Sequence, residues 1–472
     1  MKSTILLSAA LFIGLQNVLL SCLASPQVID GGEGHSLFVC IDKTVLSCGE
    51  NTYGQLGDGT NINKTTPVVV TGLGGIIAAA AGYYHSLFLK NDGTVWVCGN
   101  NASGQLGDAT NINKTTPVQV IGLSGITAVA GGYGHSIFLK NDGTVWACGG
   151  NGNGQLGDGS NTSKNTPVQV SGLSGITAVA AGGGHSIFLK NDGTVWTCGG
   201  NGSGQLGDGT NTDKNNPVQI QGLSGIIAVA GGFFYSLFLK NDGTAWTCGN
   251  NYDGQLGDGT DTNRWNPVQV TGLSGISAAA VGSDHSIFLK NDSTVWTCGR
   301  NGSGQLGDGT NSVRWNPVQV SGLIGIVAVA GGDDHSLFLK NDGTVWACGR
   351  NNSGQLGDGT NSGKSTPVQV SGLCTVSSLP VELLSFSEHF WNLLLQNNPA
   401  SDGLLCTLIV PEYGLMQLEI LDVSGKIVNI EQIQAIKGSN ILKLDLSNIK
   451  SGMYFIKVFN EEKILMKKFL KE

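Results

Sequence analysis

The stretch GQLGDGTN at residues 54–61 returns at 104, 154, 204, 254, 304 and 354, drifting only in its last residues. A period of 50 residues held over seven copies limits the fold more than any local signal does. Each copy must be one supersecondary unit, and neighbouring units must bury each other's apolar faces. The unit at 176–225 begins ITAVAAGGGHSIFLK and turns at NDG. It continues TVWTCGG, crosses a loop rich in Gly and Asn, and ends in VQI and GLSG. Strands are expected at 177–181, 185–190, 194–198 and 218–221, separated by turns of Asn, Asp and Gly. Asn191-Asp192-Gly193 is a hairpin signal repeated in most units. Four antiparallel strands per unit, seven times, predict an all-β chain built as a seven-bladed β-propeller over residues 25–379.

Composition agrees. Charged residues make up only 13% of the 472, and 73 residues are glycine, which suits strands and turns rather than surface helices. A net charge of -8 offers no basic footprint for nucleic acid. The Ala- and Gly-rich segment suits the innermost strand of each blade. The Phe of HSLFLK and the recurring Trp96, Trp146, Trp196, Trp246, Trp296 and Trp346 suit the seams between blades, with Leu46 replacing Trp in the first unit. Residues 27–32 align with the innermost strand, which places them inside the first blade. The segment 368–370 is expected to close the ring against them.

The repeat HSLFLKNDGTVWACGxNxxGQLGDG resembles that of the regulator of chromosome condensation family over about residues 27–373. The resemblance implies a seven-bladed propeller. The family's best-known activity, nucleotide exchange on a small nuclear GTPase, is not carried over. The first 24 residues read as a secretory signal peptide: Lys2, an apolar run, then small residues, with cleavage after Ala24. That address places the chain outside the cytoplasm, and near-uniform repeats offer no distinctive exchange wedge. Val18-Leu19-Leu20-Ser21-Cys22 also resembles a lipobox, which would lipidate Cys22 instead. Family members that are bacterial, extracellular binding or inhibitory proteins are nearer in setting.

Secretion permits disulfides. Cys48, Cys98, Cys148, Cys198, Cys248, Cys298 and Cys348 nevertheless share one repeat position, one blade apart, and are expected to stay free as small buried hydrophobes. Cys40 and Cys374 depart from the pattern and stay open. In the opening motif the glycines supply turn conformations, Leu56 plugs the blade core and Asp58 accepts backbone amides. A calcium loop through Asp208, Asn211 and Asp213 is the alternative, but the bidentate Glu and full register of a calcium hand are lacking. His35, His85, His135, His185, His285 and His335, with Tyr235 in the fifth position, read as structural hydrogen-bonding groups rather than metal ligands. No metal or other cofactor is expected. No GxSxG or HExxH is present, and no catalysis is expected.

The repeats disagree mainly on one face, in the turns before the ring histidine and in the loops between the third and fourth strands. Tyr83, Tyr84, Tyr133, Phe233, Phe234, Asp284, Asp333 and Asp334, with Trp265 and Trp315 from the longer loops, are therefore the candidate ligand-binding residues. Exposed aromatics of this kind mark interfaces.

After residue 379 the period breaks, and a linker at 380–396 leads to period-2 patterning over 397–472, a small Ig-like β-sandwich. This tail resembles the type A C-terminal sorting domain of the type IX secretion system of Bacteroidetes. The resemblance rests on Asn398-Pro399, Asp402, the turn at 422–428, Leu446, Gly452-Met453-Tyr454 and Lys467-Lys468-Phe469. It implies Sec export to the periplasm, engagement of the type IX machinery, and a secreted or outer-surface location, with anchoring to lipopolysaccharide once the domain is removed. The expected function is an extracellular binding module for a protein or glycan. A structural or adhesive surface protein without a specific ligand is the alternative, followed by an extracellular polysaccharide-acting enzyme.

Overall fold

A computed structural model of the protein describes residues 28–376 and, in the tail, 392–395, 403–410, 414–423, 426–435, 438–459 and 464–471. The signal peptide, Cys22 and most of the linker lie outside these residues. The chain divides at residues 380/381 into two compact units.

The first unit contains seven four-stranded antiparallel sheets, each strand pairing with its sequence neighbour. The blade at 176–225 has Ile176–Ala181 innermost, then His185–Lys190, Val195–Gly199 and Lys214–Gln219 outermost. The innermost strands lie side by side around an axis, with Ile29–Gly31 of blade one between Ile76–Ala81 of blade two and Ile326–Gly331 of blade seven. The ring is closed. Leu87, Val95, Leu106 and Val120 of blade two pack against Ile126, Phe138 and Cys148 of blade three, and the same set recurs at other seams. Each recurring Phe is fully buried there, as expected. The Trp residues are only partly buried, and in five blades a Lys ammonium covers the ring, as Lys240 covers Trp246.

The outermost strand is displaced from its expected place. It begins four residues earlier, at Lys214 rather than 218, and runs through Pro217. An edge strand tolerates proline because one side of its ladder is unpaired. The register jumps from Thr197↔Val218 to Gly199↔Lys214, a bulge that takes up the irregularity.

The closure also differs from expectation. Residues 368–370 do not meet the N-terminal strand, because Lys364–Gln369 stays in blade seven, paired with Val345–Gly349. Local hairpins keep every blade's four strands together. The splice is instead made by Leu373-Cys374-Thr375-Val376, the truncated start of an eighth repeat. Val376 pairs with Cys40 as Ile76 pairs with Lys90 one blade on. Ile41 N donates to Thr375 O, and Val39 N donates to Val28 O. One edge of blade one is thus written by both ends of the domain. A Cys40–Cys374 disulfide, Cα–Cα 5.8 Å, fixes the junction. The seven repeat cysteines are free and buried.

A belt of side chains ties each blade to the next. His85 Nε2 lies 2.9 Å from Ser136 Oγ, and the contact recurs for His35, His135, His185, His285 and His335, the last reaching Ser36 across the closure. Each Ser hydroxyl donates to a Gln carbonyl, as Ser136 does to Gln105, so the imidazole Nε2–H is the donor to the Ser oxygen. In blade five Tyr235 substitutes, donating its hydroxyl to the His285 carbonyl. The His85 ring packs against Gly82, where any Cβ would collide with it. That packing explains the glycine three residues before each histidine. Burial holds the six imidazoles neutral, His135 pushed down to about 4 and the others to about 3.

The opening motif is architecture. Leu56 is fully buried. Asn51 Nδ2 donates to Asp58 Oδ1 and to the Thr60 carbonyl, while Asn51 Oδ1 accepts the Leu56 amide. Asp58 also accepts from Thr60 N and pairs with Lys64 at 3.3 Å. Gly59 N donates to Thr115 O of the next blade, so the motif is a clasp between blades. At the calcium alternative, Asp208 accepts from Asn201 and Thr210, and Asp213 accepts from Asn201 N.

The tail folds as two sheets. One is ordered Asn392–Leu395, Gly403–Val410, Gly438–Asp445, and the other Ile427–Ala435, Gly414–Asp422, Gly452–Phe459, Ile464–Lys471. Leu404, Leu418, Ile420, Leu444, Ile456 and Phe469 are among the residues of their shared core. The strand at 392–395 falls inside the stretch read as linker. Its NLLL run lacks the alternation that marked the other strands. No helix among the described residues is long and apolar enough to cross a membrane.

Candidate functional site

The turns between the first and second strands gather around the axis, and their backbones bond to one another. Glu33 N donates to Tyr83 O, Tyr83 N to Gly132 O, Tyr133 N to Gly183 O, and Gly183 N to Phe233 O. The series continues with Phe233 N to Ser283 O and Ser283 N to Asp333 O, and Asp333 N returns to Gly32 O. These amides form an unbroken collar through all seven blades. The fold is carried by main chain at these positions, so their side chains are free to differ.

They do differ. Tyr83, Tyr84, Tyr133, Phe233 and Phe234 form one cluster of mutually touching rings, with centroids 4.5 Å apart for Phe233–Phe234, 4.8 Å for Tyr83–Tyr133 and 5.7 Å for Tyr83–Phe233. Tyr53, from the adjoining long loop, joins through Tyr84 at 5.1 Å. Most of these pairs are edge-on or tilted, the arrangement that ring quadrupoles favour. Tyr133 and Phe234 are 47% and 43% exposed, large values for aromatic rings already in contact with others.

The opposite arc is acidic. Glu33, Glu50, Asp253, Asp284, Asp333 and Asp334 gather there with Arg300 and Arg350. Arg350 pairs with Glu33 at 3.0 Å. Asp334 is buried, accepts from Gln305 at 2.8 Å and lies 3.8 Å from Arg300, so it braces the loop rather than facing solvent. Asp284 accepts from Gln255. Burial and neighbouring carboxylates push Glu33 up to about 7, and burial pushes Asp284 and Asp333 to about 6.

Below the collar the axis holds a cavity of about 250 Å³, walled by Ala, Gly and Val of the innermost strands. One residue breaks that wall. Asp30 pairs with Leu37 where Ala80 pairs with Leu87 and Ala180 with Ile187. It accepts from Gly31 N and from Ala81 N of blade two, and burial pushes its carboxyl up to about 7. Sequence reasoning missed this residue. The alignment of 27–32 with the innermost strand already contained it, as an Asp in a column otherwise all Ala.

Trp265 and Trp315 are placed elsewhere. They sit in the outermost strands of blades five and six, 51% and 49% exposed, against Gly204 and Gly254 of the preceding blades. Among the described residues neither makes a ring contact with the collar aromatics. No group of three or more His, Cys, Asp or Glu among the described residues could hold a metal ion.

Residues 15–323 match the RCC1-like domain model, and 326–355 and 342–382 match regulator of chromosome condensation (RCC1) repeats. Residues 398–472 match the secretion system C-terminal sorting domain. No curated protein sequence matches the chain. Among solved structures, human WBSCR16 is similar at 26% identity and TM-score 0.63, covering 70% of this chain and 94% of that one. Yeast RCC1 (Prp20), bound to Kap60, is 20% identical at TM-score 0.65, covering 79% and 90%. A Saccharomyces cerevisiae Prp20p structure is 21% identical at 0.63, covering 73% and 88%. At such identity the two yeast structures speak to the fold alone. With its closed ring of seven blades and a family match running over most of that ring, the chain belongs to the RCC1-like domain family and carries a secretion-type sorting domain behind it.

Proposed function

We propose that the protein is an extracellular binding module that engages a protein or glycan partner at the collar face and performs no chemistry on it. One observation carries this reading: five touching aromatic rings occupy two adjacent blades and a third across the mouth, at turns whose counterparts are Gly, Ser, Asp or Glu. Structure alone does not require them, and exposed aromatics on a rigid frame are the usual anchors of an interface.

Replacing Tyr84 or Phe234 by Ala should leave stability within about 0.5 kcal/mol, as at ordinary surface positions. The same change should weaken partner binding by about 2 kcal/mol, roughly thirtyfold in Kd. A thermal melt and a titration with a partner recovered from a glycan and surface-protein screen measure both. A large loss of stability would place the rings in the core, and an unchanged Kd would move the site to the outer edge at Trp265 and Trp315.

The proposed export route is read from the signal peptide and the tail. Sec transfer to the periplasm precedes passage through a type IX-like system, with release or lipopolysaccharide anchoring outside. The sorting-domain match over 398–472 supports this. Deleting residues 397–472 should leave the protein in the periplasm, and cell fractionation that finds it at the surface in normal amounts would refute the route.

A further inference from the structure

Acidic groups outnumber basic ones at the collar and in the cavity beneath it. The two arginines of the acidic arc are already engaged, Arg350 with Glu33 and Arg300 beside Asp334. Among the described residues, Glu50, Asp253, Asp284 and Asp333 have no basic group within ion-pair distance. Asp30 is the more telling group. It stands in an apolar wall, its two hydrogen bonds come from backbone amides, and among the described residues no basic group pairs with it. A buried carboxylate without a counter-ion is costly. The fold does not need it, because the other six blades use Ala at the same register.

Asp30 lies three residues before Glu33, about 10 Å of extended chain below the collar. Tyr83, Tyr133, Phe233 and Asp333 line the upper end of the same cavity. Aromatic faces and carboxylates both attract cations, and Arg350 shows a guanidinium resting on Glu33 from the side.

We propose that the mouth receives a Lys- or Arg-bearing segment of a partner protein, its cationic side chain running along the edge of the Tyr83, Tyr133 and Phe233 cluster, on the acidic side of the mouth, toward Asp333 and Asp30. This rests on the collar being the binding face and names the chemistry of what binds there. The rings hold the aliphatic stem. The carboxylates select the charge. The cavity of about 250 Å³ has room for one long side chain rather than for a folded element.

The test is titration of the full-length protein with tri-arginine and with tri-citrulline, its neutral counterpart of the same shape, at low and physiological salt. Tri-arginine should bind at least tenfold more tightly. Asp30→Ala installs the residue native to six blades and should therefore fold; it should weaken tri-arginine at least fivefold, as should Asp333→Asn. Asp292→Asn, in an exposed turn on the opposite face, should change nothing. Equal binding of the two peptides overturns the proposal. So does an Asp292→Asn effect as large as that of Asp30→Ala, which would mean non-specific attraction to an acidic protein. If tri-arginine fails while Tyr84→Ala still abolishes binding of the screened partner, the cationic chemistry is wrong and the collar reading stands. If Tyr84→Ala spares that partner, the collar reading fails by its own test.

Discussion

Replacing Cys374 by Ser is expected to lower the unfolding free energy of the propeller by about 2–5 kcal/mol, the usual range for a native disulfide. The Cys40–Cys374 bond spans 334 residues of sequence, so it removes much of the loop-closure entropy of the unfolded chain. It also pins a weak joint. Residues 375 and 376 are held to blade one by the Val376↔Cys40 bridge and the Ile41 N to Thr375 O bond, and to blade seven by Val376 N to Gly343 O. Without the bond this short segment can leave, and the innermost strand of blade one loses its first rung. The melting temperature should fall by roughly 3–7 °C. Reduced wild-type protein should melt with the Cys40→Ser and Cys374→Ser variants, because the remaining thiols of the ring are buried and unpaired. Identical melts for oxidised wild type and variant would show that the joint needs no staple.

The second large effect is loss of stability in mild acid. The six belt histidines titrate near 6.5 when unfolded but near 3–4 when folded, through burial. Below pH 6.5 the unfolded chain therefore binds more protons, and stability is lost as pH falls until the folded imidazoles themselves titrate. Four carboxyls act in the opposite sense. Asp30, Glu33, Asp284 and Asp333 are pushed up to between about 6 and 7, so folding favours their protonation and adds stability on acidification. Six protons against four leave about two in excess between pH 6 and 4, on the order of 3 kcal/mol per pH unit. Below pH 4 the turn aspartates, such as Asp58 and Asp108, join the histidines, because their folded pKa is held below the usual value. Denaturant midpoints at pH 7, 6 and 5 measure the slope. His185→Tyr, which copies the side chain blade five already uses, should reduce it by about one proton. A midpoint independent of pH over this range would contradict the account.

The architecture was legible in the sequence because a 50-residue period leaves few ways to bury seven equivalent apolar faces. The repeated apolar HSLFLK run and the NDG hairpins placed the inner strands to within a residue or so. The outermost strand was misplaced because Pro217 reads locally as a stop, and only its edge position makes it acceptable. The splice at Val376 could not be read locally either, since it joins residues more than 300 apart in sequence and only a short LCTV remnant signals it. The variable turns were visible as disagreement between repeats. That their rings touch is a matter of the collar's radius, which no spacing along the chain encodes. Trp265 and Trp315 shared the same variability yet belong to the outer edge, so variation alone does not say which residues share a surface.

The amide ring at the mouth has an evolutionary consequence. Because main chain alone carries it, each blade presents a two-residue entry that can be rewritten without disturbing its neighbours. Adjacent repeats are alike enough in sequence for exchange between copies to overwrite one such entry with another. Adding or deleting a whole copy is a different matter, since Asp333 must still reach Gly32 and Cys374 must still reach Cys40. The lineage is therefore free to change what the seven entries spell and is not free to change how many there are.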